Sequence, residues 1–242
     1  MSKTVKPYEA EGSKKQQVST MFDRIAPYYD FLNRLLSLGI DTIWRKKAIN
    51  LLKADQPQRI LDVATGTADV AIEAAHQLSP EEIIGVDISV EMLEVGRKKV
   101  QRKGLQEIIT LEEGDSENLP FPDNTFDALT VAFGVRNFEN LERGLREMQR
   151  VLKPGGKVVI LEFSRPTIFP FRQLYHFYFK NILPFIGKFT SKDPKAYRYL
   201  YESVQAFPDG DKFLNILSQT GYKSNRCIPL TLGVCSIYLG EK

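Results

Sequence analysis

Two carboxylates, Asp62 and Asp69, flank a turn with a single glycine in residues 60–69, ILDVATGTAD. Ile60, Leu61 and Val63 suit a buried parallel strand, Gly66 frees the backbone to approach a ligand, and Thr67 is placed to cap the helix that follows. A strand, turn and helix of this kind opens onto the ligand crevice of an α/β sheet. A dinucleotide fingerprint would need glycines where Ala64, Gly66 and Asp69 stand, and there is no Walker lysine. Carboxylates at such a turn repel phosphates and welcome a cation. S-adenosyl-L-methionine, with its sulfonium and ammonium, is the cofactor this charge pattern favours. A buried turn without a ligand is the bland alternative.

Other residues extend the same chemistry. Asp87 ends an apolar run about 25 positions after Asp62, near the spacing at which doubly wound folds place an acid to accept both ribose hydroxyls; a helix-cap role competes. Ser89 can cap the next helix, where Met92 could pack on an adenine face. Asp115 and Ser116 follow Gly114, where a carboxylate and a backbone amide could meet adenine, or could close an ordinary Asx turn. Arg136 and Asn137 follow a fourth apolar strand, an always-charged donor beside an amide, suited to an oxygen that becomes anionic. A surface ion pair is the rival for Arg136. In PYYD, Tyr28, Tyr29 and Asp30 offer three polar handles, although helical tyrosines more often belong to the core.

The elements that must hold these groups are legible in the periodicity. Residues 1–15 are lysine-rich without periodicity and are expected to be a mobile tail. Residues 16–55 form a helical cap, in which Asp41 caps a helix bearing Ile43, Trp44, Ala48, Leu51 and Leu52. Residues 56–163 alternate strands and helices and make the cofactor-binding core; KPGG is expected to end a helix before a strand at 157–163. Residues 164–206 are an inserted substrate cover: residues 165–201 hold eleven aromatics and seven Lys or Arg against one acid, Asp193. That mixture fits a greasy substrate entering from an anionic membrane surface, while a plain lid with solvated lysines competes. Residues 207–242 supply a helix and two strands whose short linker predicts an antiparallel hairpin.

Composition narrows the classes. A net charge of +3 is too small for a dedicated nucleic-acid binder. Cys227 and Cys235 lie in apolar strands and read as small core residues. No apolar leader or spanning run is present, so the expectation is a cytoplasmic protein, with membrane association open.

The ordered set LDVATGTAD, GVDIS, GDSENLPFPDNTFD, FGVRNF and RVLKPGG resembles class I S-adenosylmethionine-dependent methyltransferases. With MFDRIAPYYDFLN, AFGVRNF and VLKPGGKVVILEFSRP, it resembles more closely the ubiquinone/menaquinone C-methyltransferase family of the UbiE/MenG type, from about residue 18 onward. The resemblance implies an α/β, Rossmann-like seven-stranded sheet, mostly parallel with an antiparallel last strand and helices on both faces. It implies methyl transfer to a ring carbon of a polyprenylated quinol in menaquinone, and also ubiquinone, biosynthesis. The cofactor set is then Gly66, Thr67, Asp69, Asp87, Ile88, Met92, Asp115, Ser116 and Ala132, and the catalytic set Arg136, Asn137, Tyr29 and Asp30, with no metal. The chain departs from the family in having Thr65 and Ala68 where glycines are common and Ala132 where many members have a serine. The expected partners are the quinol and the inner membrane surface, with a homodimer open and no nucleic acid. Rival readings are another small-molecule or lipid methyltransferase, a non-catalytic cofactor-binding subunit of a quinone-biosynthetic assembly, and a nicotinamide oxidoreductase, which the missing glycines disfavour.

Overall fold

Alternate residues of β1 (Arg59–Val63) point to opposite sides of the sheet, and both sides are covered. This computed structural model describes residues 5–8, 11–170, 172–173 and 194–242. With β2 (Glu82–Asp87), β3 (Ile109–Glu113), β4 (Phe126–Ala132) and β5 (Leu152–Phe163), β1 forms a run of parallel pairs. Then β6 (Lys223–Leu230) and β7 (Cys235–Glu241) complete the order β3-β2-β1-β4-β5-β7-β6, with β7 antiparallel to both neighbours. The expected hairpin and the doubly wound sheet are both present. Cys227 and Cys235 are free thiols, the second fully buried.

Helices cover the two faces. On one, Leu61, Val63 and Leu129 pack with Leu145 and Met148 of α6 (Leu141–Val151) and Phe213 and Leu217 of α8 (Asp211–Gln219). On the other, Ile60 and Ile83 meet α4 (Asp69–Leu78) and α5 (Val90–Arg102), and Val159 and Leu239 meet Trp44 and Ala48 of α3 (Ile40–Asn50). Leu145, Met148 and Val151 are wholly buried; at about 1.5–3 kcal/mol per such side chain, they anchor a helix whose other face is polar. Two more helices, α1 (Lys14–Ile25) and α2 (Tyr29–Ser37), precede α3, and α7 (Pro194–Ala206) lies against α1 through Ala196, Tyr199, Val18 and Met21. Most of the aromatic and basic stretch expected to form the cover, residues 171 and 174–193, lies outside the described residues.

Several local expectations give way to longer-range contacts. Thr67 does not cap α4: Ala68 occupies the cap in a left-handed conformation, and the Thr67 hydroxyl donates to Asp30 at 2.5 Å. Nor does Asp41 cap α3, which begins after Gly39; its carboxylate lies within the helix, paired with Arg45 at 2.6 Å and accepting from the Ser37 hydroxyl. The expected tail also loses its last residues to α1, where Ser13 and Gln16 form a reciprocal capping box.

KPGG sits inside β5 rather than ahead of it. Pairing with β4 jumps from Phe126–Leu152 to Ala128–Lys157, leaving the glycines in a bulge that Lys242 clasps through backbone bonds to Gly155 and Gly156. A β-carbon on Gly156 would meet the carbonyl oxygens of Asp127 and Lys153 at 2.8 and 2.9 Å, backbone atoms that cannot rotate away. Gly156→Ala is therefore expected to cost about 1–3 kcal/mol in urea unfolding. Unchanged stability would show that the bulge yields freely.

Candidate cofactor and acceptor site

The sheet order reverses beside β1, which has β2 on one side and β4 on the other, and ligands of such sheets bind outside the carboxyl ends of the strands at that point. An open cavity lies there, with about 640 Å³ of empty space counted out into the solvent at its mouth. Ala64 and Gly66 follow β1, Asp87 and Ile88 end β2, Asp115 and Ser116 follow β3, and Ala132 and Asn137 come from the end of β4. Met92 of α5 and Tyr29 of α2 close the sides, and Lys15, Val18 and Phe22 of α1 form the roof. Nine of the sequence-predicted residues thus share one wall: Gly66, Asp87, Ile88, Met92, Asp115, Ser116, Ala132, Asn137 and Tyr29.

Asp87 is the best-organised acceptor in the cavity. Its two oxygens take the backbone N–H groups of Gly66 and Ser89 at 2.8 and 2.9 Å, and the residue lines the cavity. Burial pushes its pKa up to about 6 despite those bonds. Ser89 caps α5 as expected, and its own hydroxyl donates to Asp23 of α1 at 2.7 Å. Asp115 accepts the Glu117 amide, as the Asx-turn alternative has it, and it also lines the cavity.

Four predicted residues are not on the cavity wall. Thr67, Asp69 and Asp30 gather instead around Lys99, whose ammonium donates to Asp30 at 2.7 Å, to Thr67 at 3.1 Å and to Asp69, while Arg45 also pairs with Asp69 at 3.1 Å. Burial opposes ionisation of Asp69, but Lys99 and Arg45 outweigh it and hold its pKa below the usual range. Asp62 is equally occupied, accepting the Thr65 and Thr130 hydroxyls at 2.6 Å each, and burial pushes it up to about 6. The carboxylates flanking the first turn are therefore spent on structure. The acidity of the cavity comes instead from Asp87, Asp115, Glu117 and Glu139, against the single cation Lys15. A sulfonium and an ammonium fit that lining.

Arg136, the fourth, is clamped from behind. Its guanidinium lies 2.7 Å from Glu162, a fully buried carboxylate at the end of β5, and also donates to the Phe133 carbonyl. The rival ion-pair reading holds in that Arg136 pairs with a carboxylate, although the pair is buried rather than superficial. Arg136 Nε, Asn137 Oδ1 and the Tyr199 hydroxyl are nevertheless buried without a hydrogen-bond partner. Tyr199 lies on α7 close enough to feel the charges of both Arg136 and Glu162. Three unmet polar atoms on neighbouring residues fit a polar acceptor molecule.

The sequence reading missed Tyr199, Glu162 as the partner of Arg136, and the roof lysines. Lys15 pairs with Asp115 at 2.5 Å, and the buried Lys14 donates to the carbonyls of Arg136 and Phe138 at 3.0 and 2.8 Å. Burial, with Arg136 nearby, pushes the Lys14 pKa down to about 8. The capping box Ser13–Gln16 was the available signal that the helix starts early enough to include them.

A parallel sheet closed by one reversed strand is the arrangement of class I S-adenosylmethionine-dependent methyltransferases. A solved SAM-dependent methyltransferase of Thermotoga maritima shares it at a TM-score of 0.65, with 19% identity over 93% of this chain and 99% of that one. The chain belongs to the ubiE/COQ5 methyltransferase family, whose model matches residues 10–242. It is 52% identical to the demethylmenaquinone methyltransferase of Bacteroides fragilis, over 98% of this chain and 97% of that protein. It is 49% identical to a ubiquinone/menaquinone biosynthesis C-methyltransferase UbiE of Geotalea daltonii, over 95% and 97%.

Proposed function

We propose that this protein methylates a ring carbon of demethylmenaquinol, giving menaquinol, with S-adenosylmethionine as methyl donor. The observation that carries the reaction is the 52% identity along nearly the whole chain to a demethylmenaquinone methyltransferase; the acid-lined cavity supports the cofactor. A benzoquinol acceptor is the second reading, favoured by the relatives named for both quinones.

The donor supplies an electrophilic methyl whose S–C bond breaks with its electron pair left on sulfur, while a ring carbon of the ionised quinol supplies the pair for the new C–C bond. The ring carbon then loses its hydrogen as a proton and aromaticity returns. Asp87 holds the ribose diol, Asp115 and Ser116 meet adenine, and Met92 packs beside it. Gly66 lets the backbone approach: a β-carbon there would reach within 3.4 Å of Met92 Cε. Asn137 Oδ1, on the cavity wall, orients one quinol hydroxyl, and Arg136, buried behind that wall with its Nε unpaired and Tyr199 nearby, stabilises the oxyanion by its charge.

The proton acceptor is not Tyr29, whose phenol burial keeps above its ordinary pKa, so at neutral pH it donates. Asp30 is engaged by Lys99 and Thr67, and Arg136 is too weak a base. A water held against Asn137 takes that role.

Methyl transfer from labelled S-adenosylmethionine to chemically reduced demethylmenaquinol, with the oxidised quinone as control, is the test. Label in the quinol ring alone is expected; cofactor binding without transfer to either ring type would leave a scaffold protein. In the same assay Arg136→Lys is expected to lower kcat about tenfold with cofactor affinity retained, because a point charge cannot keep Glu162 and also fill the guanidinium's place behind the wall. Wild-type turnover would remove the oxyanion role.

A further inference from the structure

Helix α2 turns its apolar stripe to solvent. Tyr28 at the N-cap of α2 and Phe31 and Leu35 within it recur at steps of three and four, the spacing of one helical face, and Leu38 follows as its left-handed C-cap. All four are exposed, Phe31 by 61% and Leu38 by 81%, and Ile43, 52% exposed, adds a further apolar side chain at the start of α3. Packing is done by the other side of α2, where Leu32 is buried and Tyr29 lines the cavity. An exposed run of large apolar side chains on consecutive turns marks an interaction surface.

The charges beside the stripe indicate what it meets. Arg34 of α2 and Lys46 and Lys47 of α3 are exposed, and none of them pairs with a carboxylate among the described residues. The acids of the same two helices are already neutralised, Asp30 by Lys99 and Asp41 by Arg45. The outer face of α2 and α3 is therefore apolar and cationic. A second copy in a two-fold contact would bring the same cations against one another. An anionic lipid surface satisfies both features, taking the side chains among its acyl chains and the cations among its headgroups.

We propose that the α2–α3 face docks this protein on an anionic bilayer, with α2 lying between the lipid and the cavity. The surface rests on the quinol reading only for its purpose, since a polyprenylated acceptor resides in lipid and Tyr29 places the cavity on the inner side of the same helix. No helix among the described residues is long and apolar enough to cross a membrane.

Sedimentation of the full chain with phosphatidylglycerol and with phosphatidylcholine vesicles tests the surface. The wild type is expected to bind the anionic vesicles at least tenfold more tightly. Phe31→Ser with Leu38→Ser should weaken that binding at least tenfold, and each of Arg34→Gln, Lys46→Gln and Lys47→Gln about fivefold, in a salt-dependent manner. The double serine variant changes only exposed positions, so it should methylate a short-tailed, water-dispersible quinol at the wild-type rate while losing turnover on demethylmenaquinol embedded in vesicles. Equal vesicle binding by the wild type and the double variant would overturn the proposal. So would a dimer, seen by light scattering, that the double variant dissociates. Vesicle binding without methylation of any quinol would remove the quinol reading and keep the surface; methylation without vesicle binding would do the reverse.

Discussion

Asp87→Ala is expected to weaken S-adenosylmethionine binding about 100-fold in titration calorimetry. Two charge-assisted hydrogen bonds to a ribose diol, at about 1.5–3 kcal/mol each, exceed that loss, and part of it is recovered by water entering the smaller side chain's space. Asp87→Asn separates charge from shape, because it keeps one acceptor oxygen. Burial pushes the carboxyl's pKa up to about 6, and its ionised form is the one that can accept two hydroxyls. Below pH 6 the carboxyl must release its proton to bind the cofactor, so affinity should fall as pH falls, approaching tenfold per unit. Above pH 7 it should be flat. Asp62 shares a pKa of about 6, but its oxygens face Thr65 and Thr130 rather than the cavity, so the slope belongs to Asp87 and should vanish in Asp87→Asn. A slope that persists in that variant would reassign it.

Glu162→Ala is expected to cost about 3–5 kcal/mol in urea unfolding, because it leaves the Arg136 guanidinium buried without its counter-charge. Burial pushes the Glu162 carboxyl above its ordinary pKa even with Arg136 against it, so desolvation consumes much of the attraction between them. Removing both charges should therefore cost far less than removing one: Glu162→Met combined with Arg136→Met should recover most of the stability while abolishing turnover. A loss below about 1 kcal/mol in Glu162→Ala would mean that Arg136 finds another partner or water.

Much of the fold was legible because its signals are local. Runs such as 60–63 and 83–86 announce buried strands, and the short link after β6 requires its antiparallel partner. Most of the cavity wall was legible for the same reason: Gly66, Asp87, Ile88, Asp115, Ser116 and Ala132 lie at or just beyond strand ends. What escaped were charge pairs closed by the fold. Lys99 meets Asp30 across 69 positions, and Lys15 meets Asp115 across 100. Nothing near Thr67 in the sequence reveals that its hydroxyl will be drawn to Asp30 rather than to its own helix. The inference of a cationic ligand came from Asp62 and Asp69, which turn out to be occupied; the acidic lining that supports it comes from residues further along. Arg136 was recognised as important, but the carboxylate that fixes its direction lies 26 residues away on the next strand.

The position of β7 has a consequence for a growing chain. It is made after β6 yet lies between β6 and β5, so until it arrives β6 has no partner in the sheet and β5 is paired only on its β4 side. From Phe163 to Cys235 the ribosome must add 72 residues, roughly 4–14 s of synthesis at about 5–20 residues per second. Throughout that interval the apolar edge of β5 has no partner strand, a template for joining another unfinished chain. Pauses in translation within that span would lengthen the exposure, and holdase chaperones would find their binding site there.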